Sequence, residues 1–209
     1  MNEHKDILKE VHDYYTEKVN THGASPRGVD WNSLESQQLR FDQLLKVVDS
    51  EVPSSLLDFG CGFGSLWEYL KEQERPVSYT GFDISQAMID AALQQHPDSE
   101  AQWTTHLEPA MKFDYAVASG LFNVRQDTPD EEWVTYILDT LHQLDRHTSR
   151  GFSFNILTKY SDAEYMRDYL YYADPGFLLD YCKKNFSKYV AVLHDYPLYE
   201  FTVIVRKEP

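Results

Sequence analysis

The chain has 209 residues, 42% of them hydrophobic, and carries 19 Lys and Arg against 34 Asp and Glu, a formal net charge of −15. This length and composition suffice for one well-filled core, so we expect a single domain. An acidic surface repels phosphate backbones, which argues against a nucleic-acid partner. No segment approaches the roughly 20 apolar residues that span a bilayer, and the first residues lack signal-peptide features. We therefore expect a cytoplasmic protein with no membrane partner.

Two amphipathic helices are predicted at the beginning of the chain. Apolar residues recur at helical spacing over residues 3–19 and again over residues 33–48. The segment THGASPRGVDWN lies between them and combines Gly and Pro with an arginine and a tryptophan. That composition is unusual for a simple connection, so we interpret Thr21–Asn32 as a candidate functional loop.

From Ser54 onward, short apolar runs alternate with helical stretches. The alternation predicts βαβ units around a parallel sheet with helices on both faces. The predicted strands are Leu56–Phe59, Val77–Phe82, Ala101–Thr105, Phe113–Ser119 and Gly151–Leu157, and the predicted helices are Leu66–Arg75, Gln86–His96 and Pro129–Asp145.

The last fifty residues predict two more helices and a strand pair. An aromatic-rich segment after Leu157 favours a helix that begins at a Ser161–Glu164 capping box and stops at Asp174–Pro175. A helix over Gly176–Phe186 follows. The strands Lys188–His194 and Tyr199–Lys207 are separated only by a short turn, so we expect them to pair antiparallel at the sheet edge.

The segment LLDFGCGFG, from Leu56 to Gly64, is the most informative motif. Its glycines between a strand and a helix let the backbone approach a nucleotide-like ligand closely. The spacing departs from the dinucleotide pattern G-x-G-x-x-G, and Asp58 would repel a pyrophosphate, so an amine-bearing ligand fits better. Asp83 ends the next strand, where it can accept hydrogen bonds from a ribose diol.

With these motifs, the sequence resembles the class I S-adenosylmethionine-dependent methyltransferases over about residues 54–207. LLDFGCGFG is similar to the family's first motif, YTGFDIS to its strand-end acidic motif and FDYAVASG to its fourth-strand motif. The resemblance implies a Rossmann-like, doubly wound α/β fold with a mostly parallel seven-stranded sheet, an antiparallel edge strand and an N-terminal helical lid. We expect one methyltransferase domain, residues 1–209, in which residues 1–50 form the lid and residues 51–209 form the cofactor-binding core.

The resemblance also implies site residues for S-adenosyl-L-methionine. Asp58, Gly60 and Gly62 would line its methionine part within the loop that also holds Phe59 and Cys61, and Asp83 would hold the ribose hydroxyls. The adenine pocket would involve Ile84, Trp103 and Thr104. Further cofactor-binding candidates are Arg40, which some members use to reach the cofactor carboxylate, and Ser119 and Gly120 at the carboxyl end of the fourth strand.

The acceptor is predicted to be a small molecule. The segment SGLFN does not match the motif with which family members methylate planar amide and amino nitrogens, so such nitrogens are less expected targets. Candidate catalytic or substrate-contacting residues precede the core and could stack on, hydrogen-bond to or deprotonate an acceptor. They are Tyr14, Tyr15, His22, Arg27 and Trp31.

The sequence offers no metal site and leaves two alternative functions. The histidines show no metal-ligand spacing, and Cys61 and Cys182 cannot form a four-cysteine zinc site, so no metal is expected. Alternatives are a cofactor-binding partner subunit without turnover and, less favoured, a nicotinamide-dependent oxidoreductase. We expect a monomer or a homodimer.

Overall fold

The computed structural model of the protein describes Ile7, Lys9, residues 33–97 and residues 100–208. Its strands are β1 Ser54–Phe59, β2 Val77–Phe82, β3 Gln102–Thr104, β4 Phe113–Ala118, β5 Thr148–Leu157, β6 Tyr189–Leu193 and β7 Glu200–Arg206. Its helices are α1 Leu34–Leu44, α2 Ser65–Glu72, α3 Gln86–Gln95, α4 Asp130–His147 and α5 Pro175–Asn185. None of the helices within these described ranges is long and apolar enough to cross a bilayer.

The strands form one sheet in the order β3-β2-β1-β4-β5-β7-β6. Neighbours from β3 to β5 pair parallel, whereas β7 is antiparallel to both β5 and β6. The predicted doubly wound, mostly parallel seven-stranded sheet is confirmed, and its antiparallel strand lies one position in from the edge. The strand order reverses between β1 and β4, and ligands bind at such a switch point in open α/β sheets.

Both faces of the sheet are buried, as the nearly continuous buried positions along β1 and β4 indicate. On one face, α4 and α5 pack Trp133, Leu141 and Leu178 against Phe152 and Phe154 of β5. On the other face, α1 and α2 pack against β1 and β4, with residues that include Phe41, Leu44, Leu66, Leu70 and Val117. Because β1 to β5 run parallel between these layers, their carboxyl ends share a common edge.

The helix predicted over residues 33–48 is present as α1 followed by a 3₁₀ turn, Leu45–Val47. Ser33 caps it, since its side chain accepts a hydrogen bond from the Ser36 backbone N–H at 3.1 Å. Of the opening helix predicted over residues 3–19, only Ile7 and Lys9 are described, and both are helical. Ile7 is buried in the core cluster on the α4 side of the sheet.

The aromatic-rich helix predicted between Leu157 and Asp174 is wrong. That stretch contains one 3₁₀ turn, Ala163–Tyr165, followed by a further turn and isolated β-bridges at Leu170 and Ala173. Apart from its short turns, its backbone N–H groups bond to neighbouring segments: the Tyr171 N–H donates to Asn123 O at 2.8 Å and the Ala173 N–H to Leu157 O at 2.8 Å. Asp174, read as a stop, is the N-cap of α5 and accepts from the Gly176 N–H. Tertiary pairing with the loop after β4 therefore overrides the local helical pattern.

Candidate functional site

A cavity of about 970 Å³ opens at the carboxyl edge of the sheet, where β1, β2 and β4 end and α1 and α4 contribute walls. Ten of the twelve predicted cofactor-binding residues line it. They are Arg40, Asp58, Phe59, Gly60, Cys61, Gly62, Asp83, Ile84, Ser119 and Gly120. The fold thus brings together residues that are up to 80 positions apart in the chain.

The glycine loop is fixed to the end of β2 by its own backbone. Gly60 and Cys61 both donate their N–H groups to Phe82 O, at 2.8 and 3.0 Å, and Gly62 donates to Asp83 Oδ2 at 3.0 Å. Gly64 closes the loop with a φ of +94°, and a β-carbon there would lie 2.4 Å from the Trp103 ring. The loop therefore needs glycine at this position for both conformation and space.

Asp58 places a buried carboxyl group in the wall of the cavity. Its Oδ2 accepts a hydrogen bond of 2.6 Å from the Tyr79 hydroxyl. Burial raises the pKa of Asp58 from 3.8 to about 7; the Tyr79 hydrogen bond opposes this rise, and the nearby charge of Asp83 adds to it. Since desolvation penalises a lone carboxylate, a bound cation would favour its ionised form.

Asp83 ends β2 with both carboxylate oxygens already oriented. Oδ2 accepts from the Gly62 N–H and Oδ1 from the Ser85 N–H at 2.9 Å. Ser85 in turn caps α3, because its side chain accepts from the Met88 N–H. Each carboxylate oxygen has more than one acceptor position, so Asp83 can also bind hydroxyl donors in the cavity.

Cys61 lines the cavity as a protonated thiol. Its side chain is buried and its Sγ lies 3.5 Å from Gly62 O. Burial, and then the charges of Asp58 and Asp83, raise the pKa of the Cys61 thiol well above its usual range. A thiol with a raised pKa is a poor nucleophile, which leaves Cys61 a packing role.

The predicted adenine contacts require a correction, because Trp103 and Thr104 are absent from the lining of the cavity. Trp103 packs behind the glycine loop, stacked on His96 with ring centroids 5.6 Å apart. Thr104 Oγ1 bonds to the backbone of His106 and shapes the following turn. That turn presents Thr105, His106 and Leu107 to the cavity in their place, beside Ile84 and Met88.

Arg40 reaches the cavity from α1 and forms an ion pair with Glu200 at the start of β7, with Nε 2.6 Å from Oε1. The Gly120 N–H, at the end of β4, donates to Asn155 Oδ1 at 2.7 Å. Sequence analysis missed Asn155 and Glu200. The available signal was their polarity beside buried apolar neighbours, Phe154 and Ile156 around Asn155 and Phe201 after Glu200.

The five predicted catalytic residues lie outside the described part of the chain: Tyr14, Tyr15, His22, Arg27 and Trp31. Among the tyrosines of the segment after Leu157, Tyr169 lines the cavity, together with Leu121, Asn123, Val124, Leu157 and Leu170. This end of the cavity is largely apolar. Over residues 33–97 and 100–208, no cluster of three or more His, Cys, Asp or Glu is arranged to hold a metal ion.

Comparisons with known proteins agree with this geometry. A family profile described as a methyltransferase domain matches residues 57–150, from β1 to the beginning of β5. A curated protein of Mycobacterium tuberculosis, "Putative methyltransferase Rv1506c", is 48% identical over 164 residues, which cover 78% of this chain and 99% of that protein. The chain belongs to the methyltransferase family.

Solved structures show the same fold at low sequence identity. The magnesium protoporphyrin IX methyltransferase of Synechocystis PCC 6803 with bound SAH superposes with a TM-score of 0.70 at 17% identity, covering 97% of this methyltransferase and all of that chain. The N-methyltransferase NodS of Bradyrhizobium japonicum, in complex with S-adenosyl-L-homocysteine, gives 0.64 at 15% identity, covering 94% and 100%. Both similarities support the fold assignment and extend over nearly the whole chain.

Proposed function

We propose that the protein transfers the methyl group of S-adenosyl-L-methionine to a small-molecule acceptor. The observation that carries the proposal is the pair of carboxyl groups, Asp58 and Asp83, that flank a glycine loop in one cavity. Acidic groups at this loop disfavour a pyrophosphate and suit a ligand with an amine and a ribose diol. The inserted antiparallel β7 also departs from the 3-2-1-4-5-6 order of dinucleotide-binding folds.

The residues present fit this cofactor part by part. Asp58 would bind the ammonium group, whose positive charge would stabilise the buried carboxylate. Asp83 would accept the ribose hydroxyls, and Arg40 would hold the carboxylate. Ile84, Met88 and the 105–107 turn would enclose the adenine. Structures related to this chain contain SAM or SAH, which supports the same assignment.

The protein's contribution to the reaction is alignment and exclusion of water. When bound, S-adenosylmethionine supplies an electrophilic methyl group on a sulfonium. The chain must then hold an acceptor nucleophile in line with that methyl group. Leu121, Val124, Leu157 and Leu170 form an apolar wall for the acceptor, and Asn123 and Tyr169 add polar atoms. This wall favours an acceptor with a substantial apolar surface.

We further propose that residues 1–50 carry a lid over a core that spans residues 51–209, with α1 attaching the lid to the sheet. The burial of Ile7 against the core supports a docked N-terminal segment. Tyr14, Tyr15, His22, Arg27 and Trp31 would contact the acceptor from this lid, which would shield the reacting groups from water. Free thiols at Cys61 and Cys182 support a cytoplasmic setting, where the protein would act as a monomer or a homodimer.

Calorimetric titration with S-adenosylhomocysteine tests the cofactor assignment. The wild-type protein should bind it and should not bind NADH. Asp83→Ala removes charge-assisted hydrogen bonds and should weaken binding about ten- to hundredfold. Asp90→Ala is the matched control, because Asp90 is an exposed carboxylate on α3 outside the cavity.

Unchanged affinity in a folded Asp83→Ala variant would contradict the assignment, and so would NADH binding by the wild-type protein. Methyl transfer is then measured from labelled S-adenosylmethionine to a panel of small acceptors that differ in apolar surface. Retention of the protein on RNA at physiological salt would contradict the acceptor class.

A further inference from the structure

A buried polar network lies directly behind the cavity wall. Its central residues are Glu200 at the first position of β7 and Asn155 within β5, and both side chains are fully buried. The antiparallel register places Leu157 opposite Glu200 and Asn155 opposite Thr202, so the two polar residues lie near each other across the strand pair. Such groups are costly inside an otherwise apolar sheet.

The network connects two parts of the cavity that are far apart in the sequence. Glu200 Oε1 lies 2.6 Å from Arg40 Nε and accepts a hydrogen bond of 3.2 Å from Asn155 Nδ2. The Asn155 Oδ1 atom accepts the Gly120 N–H at 2.7 Å. Arg40 and Gly120 both line the cavity, whereas Glu200 and Asn155 do not. The buried pair thus links two walls of the site from behind.

A contribution to the stability of the fold does not by itself account for the buried pair of Arg40 and Glu200. Burial raises the pKa of Glu200, while the Arg40 guanidinium opposes that rise. The second carboxylate oxygen, Oε2, is buried and accepts no hydrogen bond within the described part of the chain. A buried ion pair with an unsatisfied oxygen recovers little of its desolvation cost, and well-packed apolar residues are often at least as stable.

We propose that Glu200 is a positioning residue, which holds the Arg40 guanidinium in place to bind the carboxylate of the cofactor and fixes the Gly120 backbone through Asn155. This inference rests on the proposed function, because it assumes a cofactor with an amino-acid end. Glu200 engages Nε, the guanidinium nitrogen nearest the side-chain stem. Such a contact restricts the torsions of a long side chain, so less rotamer entropy is lost when the ligand binds.

A second effect of Glu200 on cofactor binding has the opposite sign. A carboxylate beside Arg40 partly neutralises the guanidinium and competes with the ligand for its charge. If competition dominated, removal of the Glu200 charge would strengthen cofactor binding. The sign of the change in affinity therefore distinguishes positioning from competition.

The test compares two ligands on the variant Glu200→Gln, which keeps the side-chain shape and removes the charge. S-Adenosylhomocysteine carries the amino-acid end, whereas 5′-methylthioadenosine lacks it. We expect S-adenosylhomocysteine affinity to fall about five- to thirtyfold and 5′-methylthioadenosine affinity to stay within about twofold. In an Arg40→Ala background, Glu200→Gln should cause no further loss.

The matched control is Asp145→Asn, which breaks the ion pair between Asp145 and Lys207 beyond the far end of β7, with 2.9 Å between Nζ and Oδ1. Asp145 does not line the cavity, so both ligands should bind this variant as they bind wild type. Equal losses for the two ligands in Glu200→Gln would indicate a general structural role and overturn the proposal. Additive losses with Arg40→Ala, unchanged binding, or tighter binding would also overturn it.

A second variant keeps the proposal testable if Glu200→Gln does not fold. Arg40→Lys retains the charge but lacks Nε, so it should lose S-adenosylhomocysteine affinity and keep 5′-methylthioadenosine affinity. Wild-type affinity for both ligands in Arg40→Lys would refute the proposal. Failure of the wild-type protein to bind S-adenosylhomocysteine refutes the proposed function itself, whereas failure of these variants to discriminate refutes only the role of Glu200.

Discussion

Cofactor binding should depend on pH through Asp58. The pKa of this buried carboxyl group is raised to about 7, so near neutral pH the unliganded protein is a mixture of protonated and ionised forms. An ammonium ligand binds the ionised form, because only that form supplies the opposite charge. Binding should therefore release protons, and the affinity for S-adenosylhomocysteine should increase with pH.

The size of the expected change in affinity follows from the ionised fraction of Asp58. With a pKa of about 7, that fraction increases from about a tenth at pH 6 to about three quarters at pH 7.5. The affinity should then increase about eightfold over this interval, equivalent to about 1.2 kcal/mol. The interval stops at pH 7.5 because the ligand's own α-amino group begins to lose its proton near pH 8.

Titration calorimetry in two buffers of different ionisation enthalpy measures both the affinity and the number of protons released. Near pH 7, about half a proton should be released per ligand bound. Tyr79→Phe removes the hydrogen bond that favours the ionised carboxylate, so its binding profile should move to higher pH. A flat profile for S-adenosylhomocysteine without proton release would refute the assignment of Asp58. 5′-Methylthioadenosine, which has no ammonium group, should bind independently of pH.

Three further predictions concern stability and the lid. Asp58→Asn should gain stability relative to wild type as pH rises from about 4 to about 7, by up to about 4 kcal/mol in urea unfolding. The reason is that the wild-type fold must ionise a carboxyl group whose pKa is raised by burial. A constant difference in unfolding free energy across this range would show that ionisation of Asp58 is not responsible. Gly81→Ala places a β-carbon 2.7 Å from the Trp103 ring and should lower the free energy of unfolding by about 1–3 kcal/mol, a loss that adding Trp103→Leu should partly restore. Gly176→Ala is the control, because its β-carbon would lie 3.2 Å from a single side-chain oxygen. Equal unfolding free energies for the two alanine variants would show that the ring moves aside at no cost. Deletion of residues 1–32 should leave S-adenosylhomocysteine affinity within several-fold and abolish methyl transfer; transfer at the full-length rate, once an acceptor is found, would show that the lid is not required.

Local sequence signals were sufficient where the structure arises from residues that are adjacent in the chain. The bounds of β2 agree with the prediction residue for residue, and the glycine loop with Asp58 and Asp83 lines one cavity as its strand–loop–helix context indicated. These features depend on the alternation of apolar runs with helical stretches, on the glycines of the loop and on the common edge of parallel strands. Fold class and the convergence of these residues on one cavity could therefore be predicted.

Non-local pairing explains what could not be predicted. The segment after Leu157 has a helical pattern, yet its N–H groups find partners in the loop after β4. Trp103 lies in the middle of β3 and packs behind the glycine loop, because the absence of side chains at Gly64 and Gly81 leaves space for the indole. The ion pair between Arg40 and Glu200 joins residues 160 positions apart, and no local pattern encodes such a contact.

The antiparallel direction of β7 has a consequence for the order in which the site is completed during synthesis. An antiparallel strand presents its first residue at the edge where its parallel neighbours present their last, so Glu200, at the beginning of β7, lies behind the cavity wall at this edge. The glycine loop emerges from the ribosome about 140 residues earlier. Chains fold progressively during synthesis, but contacts of high sequence separation form late. A nascent chain would therefore present Asp83, the proposed ribose ligand, well before Glu200, the ion-pair partner of Arg40. Affinity for the amino-acid end of the ligand would then mark insertion of β7.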